Sequence, residues 1–367
     1  VGGGVGAGVA RCSTWRRGCL DGMPTMPELL QEAVDKGSSD LHLSAGEPPA
    51  LRVHGDLVRL EHPALTPAEV EALAHSIMND TQRAAFATEH ECDFATQLDG
   101  IGRFRVNVFQ QSRGPGAVLR QIPTVIPSLE DLGLGATFKE LCTREKGMIL
   151  VTGPTGSGKS TTLAAMVNEI NQTWQAHILT VEDPVEFVHP PQRCYVNQRE
   201  VGVHTHSFAN ALKSALREDP DVILVGELRD LETIALAITA AETGHLVFGT
   251  LHTSSAPKTI DRIIDAFPAA QQGQIRTMLS ESLEAVIAQT LLKKKGGGRV
   301  AAHEILIGVP AVRNLIREGK LHQIPSMMQT GQRFGMQTLD MALADLLKRG
   351  LIEPSQMPAK SALGAAA

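Results

Sequence analysis

Residues 153–160 read Gly-Pro-Thr-Gly-Ser-Gly-Lys-Ser, and no other segment restricts the possible folds as strongly. The spacing GxxxxGK[S/T] works only between a strand and a helix. Main-chain N–H groups then converge on one point, and the helix start adds the positive end of its dipole. Glycines let that backbone come close to phosphate oxygens. The lysine reaches the β- and γ-phosphates, and the hydroxyl after it binds Mg²⁺. Gly153, Pro154, Thr155, Gly156, Ser157, Gly158, Lys159, Ser160 and Thr161 are therefore the expected nucleotide-binding residues. ATP and Mg²⁺ are the expected ligands, with Ser160 on the metal.

The flanking sequence supplies the required context. Short apolar runs at 148–151, 178–181, 222–225 and 246–248 alternate with helical patterns at 160–171, 207–217 and 231–241. Such alternation predicts an α/β fold with a parallel sheet covered on both faces. Further on, Ile275, Met278, Leu279, Leu283, Val286, Ile287 and Leu291 recur at helical spacing. Lys293, Lys294 and Lys295 would fill the last turn of that helix and Gly296–Gly298 would stop it. The C-terminal third is accordingly expected to be helical.

A chain of 367 residues exceeds one ordinary core. Residues 23–120 read as a smaller α+β domain, with a helix at 27–36 and another at 66–79 capped by Thr66. Hairpins are expected around Gly55-Asp56 and Gly114–Gly116. Residues 121–130, with Pro123 and Pro127, read as a linker, and 131–367 as the nucleotide-binding domain. Residues 1–22 are glycine-rich and low in complexity; no apolar stretch follows their arginines, so a disordered extension is expected rather than a secretory signal. A net charge of −6 and an aromatic content of 4% argue against nucleic acid as a partner. The five cysteines form no CxxC, which suits free thiols in a reducing compartment.

Two acidic segments end predicted strands. Glu227 follows the buried run 222–225, the usual station for an acid that serves magnesium and water. Glu182, Asp183 and Glu186 follow the run 178–181. Ligands bind at the carboxyl ends of parallel strands, so both segments should face the glycine loop. One acid would serve the metal and the other would take a proton from water; spacing alone leaves the two roles open. His245 and His252 flank the strand at 246–251 and could both touch the γ-phosphate. His204 and His206 lack the partners that would complete a metal site.

These four blocks, in this order, resemble the secretion-ATPase superfamily of type II secretion and type IV pili. In that family they are the Walker A, Asp box (180–187), Walker B and His box (243–252). Extension and secretion ATPases of that family carry a long extra N-terminal domain and a four-cysteine zinc site of CxxC pairs; neither is expected for this chain. The segment Ala-Val-Arg-Asn-Leu-Ile-Arg-Glu at 311–318 is similar to a signature of the retraction branch, with Pro310 and Gly319 as its expected start and stop. Arg313 and Arg317 lie four apart on that helix. The resemblance implies a RecA-like motor domain, a PAS-like N-terminal domain, a homohexameric ring, and pilus retraction driven by Mg-ATP hydrolysis. It further implies a cytoplasmic protein held peripherally at the inner membrane by a pilus platform protein, with a PilU-like paralogue as a possible companion. By motif and spacing it assigns Arg105 and Arg120 to the γ-phosphate, Glu186 to general-base work and Glu227 to the magnesium side. A RecA-like DNA translocase and a PilU-like accessory ATPase are the alternatives.

Overall fold

The computed structural model describes residues 23–53, 55–122 and 125–357. The extension expected at 1–22 lies outside them, as do Pro123 and the last ten residues. The chain divides into two compact units, with the boundary between Gln121 and Ile122.

In the first unit Thr25 and Glu28 form a reciprocal cap on α1 (Met26–Asp35). Then come β1 (Asp40–Ser44), β2 (Ala50–Val53) and β3 (Asp56–Arg59), the last two forming the hairpin expected at Gly55-Asp56. Thr66 and Glu69 cap α2 (Pro67–His75) in the same way. This helix is shorter than its apolar pattern suggested, because Asn79 opens a separate helix, α3 (Asp80–Glu89), with its own capping box through Gln82. Three strands complete the unit: β4 (Glu91–Leu98), β5 (Gly102–Gln111) and β6 (Gly114–Ile122). The sheet order is β3-β2-β1-β6-β5-β4. Leu41, Leu43, Phe104, Val106, Val108 and Leu119 alternate onto one face and pack against Met26, Leu29, Val70 and Leu73. Arg105 and Arg120 alternate onto the other.

The second unit opens with α4 (Ala136–Leu141), β7 (Gly147–Thr152), α5 (Lys159–Thr173), β8 (His177–Glu182) and β9 (Tyr195–Glu200). It continues through α6 (Phe208–Ala215), β10 (Val222–Val225), α7 (Leu231–Glu242), β11 (Leu246–Leu251), α8 (Ala256–Asp265) and α9 (Ala269–Ser282). After these come β12 (Leu283–Lys293), β13 (Arg299–Ile307), α10 (Pro310–Arg317), α11 (Ile324–Thr330) and α12 (Leu339–Lys348). The sheet order is β13-β12-β7-β11-β10-β8-β9. From β12 to β9 neighbouring strands run parallel, and β13 closes one edge antiparallel. Every residue of β7, β10 and β11 is buried, which is why these strands read as continuous apolar runs.

The long helix expected to run on to Lys295 is not what forms. It stops at Ser282, and residues 283–293 become β12, parallel to β7 and antiparallel to β13. Buried on both faces over most of its length, β12 shows no two-residue alternation, and its branched residues fit helical spacing equally well. Gly296–Gly298 form a hairpin turn rather than a helix stop. The C-terminal third is thus a hairpin followed by helices.

Candidate active site

Strand β7 delivers Gly153 to the carboxyl edge of the parallel sheet, and the chain turns there into α5. A Cβ on Gly153 would lie 2.2 Å from the Gln289 carbonyl oxygen, and one on Gly158 would lie 2.9 Å from Gln289 Nε2. Both residues also have positive φ, so glycine is required twice over. No side chain caps α5 at Gly158. Its first-turn N–H groups are left for an anion, as the glycine pattern requires. Ser160 and Thr161 lie in that first turn, half-buried.

Lys159 is almost fully buried and donates through Nζ to the carbonyl oxygens of Gly153 at 2.9 Å and Pro154 at 3.2 Å. Burial lowers its pKa, while the carboxylates of Glu227 and Glu186 act on it in the opposite direction. Both acids therefore stand close enough to feel the ammonium group. The structure assembles the glycine loop, Glu186 and Glu227 at one edge of the sheet.

Strand β10 ends in Gly226-Glu227. Gly226 N–H donates to Val181 O at 2.8 Å, and Leu228 N–H donates to Thr250 O at 3.0 Å, so Glu227 is held between β8 and β11. Its Oε2 pairs with Arg229 at 2.7 Å and its Oε1 faces His252 Nε2 at 3.2 Å. Burial works to raise its pKa, but Arg229 and His252 outweigh this and hold the carboxyl below its usual range.

The acids after β8 divide by burial. Glu186 is exposed. Glu182 is buried, accepting from Thr180 Oγ1 at 2.7 Å, Gln198 Nε2 at 3.2 Å and the Glu186 N–H at 3.3 Å. Burial raises its pKa against those bonds.

The histidines divide by strand polarity. His252 follows the carboxyl end of β11 and joins the site. His245 precedes the same strand, where its carbonyl accepts from Gly147 N–H at 3.0 Å and its ring Nδ1 lies 2.9 Å from Ala240 O. The parallel register Leu246↔Gly147 to Leu251↔Thr152 puts it at the opposite sheet edge from the glycine loop. The expectation that both histidines reach the phosphate fails for His245 in this unit: a six-residue strand spans about 20 Å.

Arg105 and Arg120 belong to the first unit. Arg105 grips both Asp93 oxygens, at 2.6 Å and 3.3 Å. Arg120 Nε donates to Asp40 at 2.8 Å. In the 311–318 segment the two arginines differ. Arg317 is exposed, whereas half-buried Arg313 donates to Gly308 O at 2.6 Å and Ser280 O at 3.0 Å, to Glu281 O, and to Glu284 Oε1 at 2.6 Å. It ties α10 to the end of α9 and the start of β12. His204 Nδ1 accepts from the Glu200 N–H at 3.0 Å, a local backbone contact.

Two glutamines were invisible to motif reasoning. Gln289, on β12, accepts from Thr162 Oγ1 at 2.8 Å and donates to Ser157 O at 2.7 Å, so it braces the glycine loop against α5. A lone amide in the apolar run 283–292 was its only signal, and the helical reading of that run hid it. Gln198, on β9, sits in an ordinary polar stretch and gave none.

The family model for "Type II/IV secretion system protein" matches residues 23–342. The chain belongs to this secretion-ATPase family. It is 61% identical over 325 residues to the type IV pilus retraction ATPase PilT of Pseudomonas aeruginosa, covering 89% of this chain and 94% of that protein. The PilU pilus ATPase of the same organism is 44% identical, over 89% of this chain and 85% of its own. A crystal structure of the pilus retraction motor PilT with bound ADP superposes with a TM-score of 0.86 at 50% identity, over 94% of this chain and 97% of that one. The RecA-like α/β reading of the motor unit stands with these matches.

Proposed function

We propose that this chain is the ATPase motor of type IV pilus retraction, working as a homohexamer on Mg-ATP. The observation that carries the proposal is the meeting of the glycine loop, Lys159, Glu186 and Glu227 at one sheet edge, in a chain more similar to a retraction ATPase than to PilU. Amides of residues 156–160 and the Lys159 ammonium suit a triphosphate. Ser160 and Glu227 supply oxygen donors that fit a hard cation such as Mg²⁺. That ion would neutralise charge on the β- and γ-phosphate oxygens.

Glu186, exposed and on a loop, is the group free to orient or deprotonate the attacking water. Glu227, ion-paired and ionised, suits the metal side. His252, touching Glu227, is placed to register loss of the γ-phosphate. Arg105, paired with Asp93, and Arg120, paired with Asp40, are the guanidinium groups proposed for the γ-phosphate, an anion that suits their planar donors. A pilus platform protein at the inner membrane is the expected load. The attachment proposed there is peripheral; no described helix is long and apolar enough to cross a membrane.

The test joins enzyme and cell. Lys159→Ala removes the ammonium group that meets the phosphates, so ATP turnover should vanish. A host strain carrying it should keep its pili and lose twitching. Near wild-type turnover would refute the assignment of the loop, and a strain that twitches normally would refute retraction.

A further inference from the structure

Residues 183–189, which carry Glu186, form neither helix nor strand. No ladder fixes their shape, so their main-chain groups must find partners elsewhere. Several of those partners are side chains of β9. Gln198 Nε2 donates to Phe187 O at 2.8 Å and to Glu182 Oε1 at 3.2 Å, and its Oε1 accepts from the His189 N–H at 2.7 Å. Two residues along β9, Glu200 accepts from the Val185 N–H at 3.1 Å. Glu182 in turn accepts from the N–H of Glu186 itself. The main chain is thus pinned before, at and after Glu186, and Gln198 reaches both the near support and the far side of the loop.

We propose that Gln198 is a positioning residue for ATP hydrolysis, holding the loop so that the Glu186 carboxylate points at the attacking water. The inference rests on the reading of Glu186 as the residue that manages that water. An amide is the side chain that fits: it must donate twice, to a carboxylate and a carbonyl, and accept once from an N–H. Leucine fills similar space and does none of this. A base misplaced by about 1 Å costs up to about a hundred-fold in rate, because only the oriented pair reacts. Nucleotide affinity comes from the glycine loop and should stay the same. A general loss of structure would lower both.

The experiment uses the full chain. ATP turnover, ADP affinity by calorimetry and thermal unfolding are measured for Gln198→Leu, Gln198→Glu and Glu186→Gln. Gln198→Leu should lower kcat by at least about ten-fold, keep ADP affinity within about two-fold of wild type, and unfold cooperatively. Gln198→Glu places a carboxylate with no hydrogen to donate beside Glu182 and the Phe187 carbonyl. On acidification it regains an O–H, so its rate relative to wild type should rise as pH falls. Glu182, Glu186, His189 and Glu200 are the titratable groups around this position; the introduced carboxyl and Glu182 share a contact and titrate as a coupled pair, so the ratio reads the protonation of that pair. Wild-type kcat in Gln198→Leu, parallel loss of kcat and affinity, or a pH-independent ratio for Gln198→Glu would each overturn the proposal. If Gln198→Leu fails to fold, the pH ratio decides alone. A Glu186→Gln variant that turns over at the wild-type rate removes the underlying base assignment. An inactive Glu186→Gln beside a fully active Gln198→Leu removes only the role of Gln198.

Discussion

Replacing Gln289 by leucine keeps the volume of a buried side chain on β12 and deletes the two hydrogen bonds that brace the glycine loop. The Ser157 carbonyl loses its donor at 2.7 Å and the Thr162 hydroxyl its acceptor at 2.8 Å. A buried polar group stripped of its partner costs about 1–3 kcal/mol. The threonine can turn its hydroxyl to the carbonyl one helical turn back, at Gly158, which softens its share. The Ser157 carbonyl has no such substitute in the described contacts. A net cost of about 2 kcal/mol is therefore expected. If all of it falls on the binding-competent shape of the loop, ADP affinity drops by up to about thirty-fold. Calorimetric titration with ADP, beside urea unfolding, measures both parts. Thr162→Val should produce the smaller effect, and the double variant should be non-additive, since both changes remove the same Thr162–Gln289 bond. Wild-type affinity together with wild-type stability in Gln289→Leu would refute the bracing argument.

Two further predictions concern stability. Burial depresses the pKa of His303 and of His189 to about 4 in each case, against about 6.5 in an unfolded chain. A depressed folded value means that the neutral form is favoured by folding. The stabilisation is complete above about pH 6.5 and is lost as pH falls towards 4, by up to about 3 kcal/mol for each group. Unfolding midpoints should fall across that window, and His303→Phe should flatten the fall; an unchanged slope would refute the argument. Arg313→Ala should lower the unfolding temperature by several degrees, through loss of about 2–3 kcal/mol of charge-assisted bonds to the end of α9 and to Glu284. Scanning calorimetry checks this, and an unshifted midpoint would contradict it.

Much of the motor unit could be read from the sequence, because its chemistry and its strands leave local marks. The glycine loop has one spacing that works, and short apolar runs between helical patterns mark buried parallel strands. β12 left no such mark. Its leucines and isoleucines satisfy both periods, and only Gln289 hinted that a partner waited across the sheet. The two histidines of the 243–252 block look equivalent in sequence, yet six strand residues carry them to opposite edges. The acids 182 and 186 likewise look alike, and only the pairing of β8 with β9 shows that one is buried support and the other exposed. Arg313 and Arg317 share a helix face by spacing, but packing against α9 engages just one of them.

The central claim is that main-chain amides and one ammonium group hold the triphosphate in place. A crystal structure of the protein with Mg²⁺ and a non-hydrolysable ATP analogue tests it most directly. Lys159 Nζ should leave the Gly153 and Pro154 carbonyls for a phosphate oxygen, with the amides of residues 156–160 around the phosphates and Glu186 and Glu227 beyond the γ-phosphate. Phosphates bound away from that turn, or a Lys159 still folded onto its own carbonyls beside bound nucleotide, would contradict it.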